Sequence, residues 1–133
     1  MKSNLLPHGE AFLFLDEILI VNSDEVVGTY TFKQSHKTFQ GQSGSTVPQV
    51  LLIESIIQCG GAGVRQIGFT SGLFGLAKID RVKFLVPVDF NQMVTYKIKN
   101  IQLREKIISQ KGEGYVEEKL VLEASWSMVR IKK

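Results

Sequence analysis

An apolar run of helical character carries an acid, Glu54, and, four residues on, an amide, Gln58. Residues four apart share one face of a helix, so the amide can hydrogen-bond the carboxylate and orient it. A carboxylate left unpaired in such surroundings is costly or drifts toward its neutral form. Glu54 is therefore a satisfied structural acid or a group held for proton transfer, and both readings use the same pairing with Gln58. Gln49 falls at the start of the same helix, where a backbone N–H points outward and the helix dipole favours negative charge on a bound carbonyl. His8, His36 and Cys59 are the other residues with chemistry to offer. Cys59 lies in the apolar helix and reads as packing. Two histidines and one cysteine, widely spaced, make no metal pattern, so neither a metal nor another cofactor is expected.

The element that must position Glu54 is a helix from about Val47 to Gln66. Thr46 and Gln49 have capping-box spacing, and Pro48 lies in the first turn, where its missing N–H costs nothing. Val50, Leu51, Leu52, Ile53, Ile56 and Ile57 make the helix apolar nearly all round, as expected of one enclosed by other structure. Gly60-Gly61-Ala62-Gly63 would weaken an isolated helix by roughly 1 kcal/mol per glycine, so another backbone or side chain is expected to press closely there. Before the helix, Phe12 to Val21 and Glu25 to Lys33 read as strands around a turn at Asn22-Ser23-Asp24. A long polar loop from Gln34 to Thr46 follows, broken only by Phe39, and loops of that length are often functional. After Gly72 the pattern is strands: Leu73 to Lys78, Arg81 to Val86, Val94 to Leu103, Lys106 to Lys111 and Tyr115 to Met128. Turns are expected at Pro87 to Asn91 and at Lys111-Gly112-Glu113-Gly114. One buried helix among antiparallel strands argues an α+β fold, the helix wrapped by a curved sheet of five or six strands.

A length of 133 residues suits a single domain spanning 1–133, large enough to bury a core without staples. No apolar run approaches the ~18 residues of a membrane span, and the N-terminus lacks a signal-peptide pattern. The one cysteine can form no internal disulfide, and a cytoplasmic protein is expected. The net charge of +3 is mild and its basic residues are interleaved with acids, which argues against nucleic acid. Lys78, Arg81, Lys83, Arg104, Lys106 and Lys111 leave room for an acidic macromolecular partner, although solvated strand faces explain most of them.

Four motifs in order resemble the β-hydroxyacyl-acyl-carrier-protein dehydratases of the hotdog superfamily. They are Leu6-Pro7-His8 with the segment to Asp16, Phe39-Gln40-Gly41, Val47-Pro48-Gln49-Val50-Leu51 with Glu54, Ser55 and Gln58, and Ile79-Asp80-Arg81-Val82-Lys83-Phe84 with Pro87-Val88. The resemblance covers almost the whole chain and implies a hotdog fold. It also implies removal of the C2 proton and loss of the C3 hydroxyl from a 3-hydroxyacyl thioester. In that family a loop histidine and a helix acid from opposite subunits do this work, and a backbone N–H near the helix start polarises the thioester carbonyl. A base with a suitable pKa and a preorganised donor are needed together.

The family histidine falls on Gln42 here, and the span from Gln42 to Glu54 is two residues shorter than the family pattern. An amide has no titratable nitrogen in this pH range. The resemblance thus implies Glu54, with Gln42 opposite it, as the catalytic position. Gln49, Gln58, Phe39, Phe84, Gly41 and Pro48 are implied around the substrate, Phe39 and Phe84 lining an apolar tunnel. Three functions are compatible: a dehydratase with weakened or lost catalysis, a non-catalytic partner subunit of an active relative, and an acyl thioesterase using Glu54 and water. The substrate carrier is acyl carrier protein or coenzyme A, and a homodimer, a higher oligomer or a heterodimer with an active relative is expected.

Overall fold

The computed structural model describes residues 14–36, 39, 41, 44–68 and 73–132. The elements run β1 (Glu17–Val21), β2 (Glu25–Thr31), α1 (Gln49–Gln66), β3 (Leu73–Phe84), β4 (Met93–Leu103), β5 (Ile107–Val116) and β6 (Lys119–Lys132). The strands form one 6-stranded sheet in the order β1-β2-β4-β5-β6-β3, each pair antiparallel. This is the hotdog arrangement that the resemblance implied. The turn between β1 and β2 closes as its residue types suggest, Asn22 Oδ1 accepting the N–H of Asp24 at 2.8 Å and of Glu25 at 3.0 Å.

The helix lies against β2, β1, β4 and β5. Its inward residues Leu52, Ile56 and Cys59 meet Tyr96, Ile98, Ile108, Leu122 and Trp126 in one buried core. Each large side chain so buried stabilises the fold by about 1.5–3 kcal/mol. The glycine run is explained by close approach. A Cβ on Gly60 would strike the Gln110 amide and the Trp126 ring, and one on Gly63 would strike Val26. Gln110, almost wholly buried, fixes the contact. Its Nε2 donates to the Gly60 carbonyl at 3.1 Å and to Asn100 Oδ1 at 2.8 Å, and its Oε1 accepts from Trp126 Nε1 at 3.0 Å.

Several boundaries differ from the sequence reading. The helix starts at Gln49 with Pro48 as its N-cap, and no side chain caps it. Thr46 instead bridges Asp89, and the Val47 N–H bonds the Val88 carbonyl at 2.8 Å. The chain therefore enters extended, and a capping box has no place to form. The two expected strands Leu73–Lys78 and Arg81–Val86 are one strand, with irregular register between Ile79 and Arg81. An edge strand absorbs the polar Lys78–Asp80 pair, which meet at 3.3 Å, as a bulge rather than a turn. The expected turn at Lys111 to Gly114 lies in mid-strand. Gly112 and Gly114 are there because a side chain would strike Ile98 and Ile56, or Leu122. The real turn is Glu117-Glu118, with Glu117 at φ 57°.

Candidate active site

Glu54 stands on the second turn of α1, about 7.5 Å along the axis from Gln49 at 1.5 Å per residue. Gln58 Nε2 donates to Glu54 Oε2 at 2.8 Å, the pairing that four-residue spacing predicts. The amide's other end is occupied as well, because Gln58 Oε1 accepts the Phe14 backbone N–H. Which end of the amide faces the carboxylate is thus set by a backbone donor that cannot reverse its role. Ser55 completes the clamp, its hydroxyl donating to the Phe14 carbonyl at 2.8 Å. Both backbone polar groups of Phe14 are satisfied by two side chains of one helix turn.

Glu54 is half-buried rather than enclosed, while Gln58 and Ser55 are buried. The flank of the helix that carries it is also open, with Val50 68% exposed and Leu51, Ile53 and Ile57 only half-buried. The all-round apolarity of the helix therefore exceeds what this chain's own sheet covers. Cys59 is buried on the opposite flank, and burial pushes its thiol up to about 12, which keeps it from acting as a thiolate near neutrality.

The helix N-terminus brings Pro48, half-buried, and Gln49, exposed, to the surface. The Gln49 and Val50 N–H groups open the helix and have no carbonyl one turn back to bond, so they face outward as donors. The Leu51 N–H is already spent on the Pro48 carbonyl at 3.0 Å. Phe39 sits in an aromatic cluster, its ring 5.7 Å from Phe14, 5.6 Å from Phe32 and 5.8 Å from Phe90, so it anchors the loop that carries it. The His36 ring meets Phe39 at a tilt, 5.5 Å between ring centres, and His36 is itself exposed. Gly41, exposed at φ 94°, occupies a backbone conformation that favours glycine. Phe84, at the end of β3, is partly buried against the core. Gln42 and His8 lie outside the described residues.

The sequence reading passed over Ser55 and the backbone of Phe14 as parts of this site. The signal was a second polar residue beside Glu54 in an apolar helix, together with Gln58 one turn on. Among the described residues no cluster of His, Cys, Asp or Glu could hold a metal, and no helix is long and apolar enough to cross a membrane. What the arrangement offers is one oriented carboxylate beside a helix terminus with outward N–H donors, a combination suited to proton transfer next to a carbonyl.

Comparison with known proteins bears on the family and the fold. Residues 6–125 match the FabA-like domain. The chain is similar to the 3-hydroxyacyl-(acyl-carrier-protein) dehydratase FabZ of Syntrophobacter fumaroxidans, 34% identical over 125 residues that cover 90% of this chain and 84% of the relative. FabZ of Wolinella succinogenes is 29% identical, covering 90% of this chain and 86% of the relative. Among solved structures, the dehydratase heterocomplex ApeI:P from Xenorhabdus doucetiae superposes with a TM-score of 0.83 at 19% identity, over 99% of this chain and 91% of that one. A hypothetical thioesterase with coenzyme A from Streptococcus pneumoniae gives 0.71 at 15% identity, over 88% of this chain and 86% of that one. At these identities the two structures speak for the fold alone.

Proposed function

The chain belongs to the FabA-like domain family, and on that premise we propose that it acts on 3-hydroxyacyl thioesters, carried by acyl carrier protein or coenzyme A, as a dehydratase. The observation that carries this reading is the Gln58-held carboxylate of Glu54, one turn above the outward N–H groups of Gln49 and Val50. A proton beside a thioester is weakly acidic. Its removal requires a positioned base and a donor that takes up the negative charge growing on the carbonyl oxygen. Glu54 supplies the proton-transferring group and the helix terminus the donor. The open flank of α1 around Val50 and Ile53 supports a site completed by a second chain.

The decisive assay incubates the purified protein with 3-hydroxyacyl, 2-enoyl and saturated acyl thioesters and follows both water loss and free thiol. Interconversion of the 3-hydroxyacyl and 2-enoyl species without thiol release is the expected result. Thiol release alone would establish a thioesterase and remove the dehydratase reading.

A second reading is favoured by one observation, the amide of Gln42 at the position of the family histidine. In it the chain is the acid-bearing subunit of a mixed assembly whose histidine comes from a relative. Mixing the chain with a histidine-bearing relative then produces activity that neither has alone, and Glu54→Gln in this chain removes that gain.

A further inference from the structure

We propose that Ser55 and Asp16 are positioning residues for Glu54, acting on it through the backbone of Phe14 and the amide of Gln58. The inference rests on the dehydratase reading above and names what holds the acid in place. It starts from Gln58. A long, freely rotating side chain orients a neighbour only as firmly as it is itself held. Gln58 Oε1 is held by the Phe14 N–H, while Nε2 donates to Glu54 Oε2 at 2.8 Å. The placement of the acid therefore depends on where the chain puts Phe14.

Two sets of contacts put it there. From the helix, the Ser55 hydroxyl donates to the Phe14 carbonyl at 2.8 Å, so Ser55 and Gln58, three apart on one face, hold both backbone groups of that residue. From the sheet, Asp16 fixes the segment to β2. Its N–H donates to the Thr29 carbonyl at 2.8 Å, and its Oδ2 accepts the Thr31 N–H at 2.9 Å. The Phe14 ring adds contacts to Tyr30 and Phe32, 5.9 and 5.8 Å between ring centres. Phe14 precedes β1, so the ladder of the sheet does not itself fix it. Burying two polar side chains of α1, Ser55 at 0% and Gln58 at 2% exposure, carries a desolvation cost that apolar packing of the helix would not. In return the Gln58 amide has a fixed origin, and through it so has Glu54. A purely structural role would use the same bonds, and kinetics separates the two.

The test uses the full chain turning over a 3-hydroxyacyl thioester. Ser55→Ala should lower kcat by about 10-fold with KM little changed, and Ser55→Thr, which keeps the hydroxyl, should recover most of that loss. Asp16→Ala should act in the same way, and Asp16→Asn, which keeps an oxygen for the Thr31 N–H, should recover it. In a Gln58→Leu background Ser55→Ala should have no further effect, because the path to Glu54 is already cut. An equal loss in both backgrounds overturns the proposal, as does a change confined to KM or unchanged kinetics in Ser55→Ala. A second readout needs no turnover: in NMR the side-chain NH₂ of Gln58 should exchange with solvent about tenfold faster in Ser55→Ala, and unchanged exchange overturns the proposal. Absence of water loss in the unmodified protein removes the dehydratase reading itself, and the Gln58 signals then decide whether Ser55 holds the amide.

Discussion

The carboxylate of Glu54 and the amide of Gln58 form a pair whose two members have different duties, and substitution separates them. Glu54→Gln keeps shape and hydrogen-bonding capacity but cannot exchange a proton. Dehydration should fall by about 10²- to 10⁴-fold while the urea midpoint stays close to that of the unaltered protein. Turnover that survives Glu54→Gln unchanged would make Glu54 a structural acid. Gln58→Leu removes the acceptor of the Phe14 N–H as well. An unfilled buried donor should cost about 1–3 kcal/mol in denaturant unfolding, beyond any effect on rate. Cys59 offers a residue-scale test of burial. Its folded pKa is raised from 9.0 to about 12 by desolvation, so the native thiol keeps its proton where an unfolded one gives it up. Stability from this group is full below pH 9 and is lost as pH rises from there toward 12, because the unfolded chain is favoured first. Chemical denaturation across that range should show the decline, and Cys59→Ala should shrink it.

At the scale of elements, the helix is placed by contacts that glycine alone permits. Gly63→Ala gains about 1 kcal/mol of helix propensity, yet its methyl would strike the short, branched and fully buried Val26. The clash should prevail, leaving the variant less stable by about 1–3 kcal/mol in urea unfolding. Gly60→Ala meets an amide at the end of a longer side chain, but Gln110 is tied to Gly60, Asn100 and Trp126 and has little freedom to yield. The same physics explains why Gly112 and Gly114 read as a turn in the sequence. Glycine in a short polar run signals a bend only when nothing packs on it, and here the Ile56, Ile98 and Leu122 side chains do. The capping box at Thr46 failed for a related reason, since the Thr46 bridge to Asp89 holds that backbone extended.

At the scale of the whole molecule, the sheet ends on one side at β3, a 12-residue edge strand with Lys78, Ile79, Asp80, Arg81 and Lys83 exposed. An open edge of that length presents a row of backbone donors and acceptors, and the charged residues along it limit uncontrolled pairing without satisfying them. Val50, 68% exposed, leaves an apolar flank of the helix open beside Glu54. Both surfaces point to association, and light scattering at micromolar concentration should give at least twice the chain mass of 14.9 kDa. A stable monomer would contradict it.

The sequence by itself determined the long helix, the antiparallel strands around it and the partnership of Glu54 with Gln58. Each follows from local rules, a long apolar run opened by a proline, alternating strands and four-residue spacing on one face. Only the tertiary structure decided which way the Gln58 amide points, because that depends on the Phe14 N–H, 44 residues away along the chain. Tertiary contacts likewise decided that the glycines of β5 lie under side chains and that Phe39 belongs to an aromatic cluster with Phe14, Phe32 and Phe90. Side-chain periodicity carries information over a few residues. The partners that orient a polar group and the bodies that press on a glycine come from distant segments, which only the folded chain brings together.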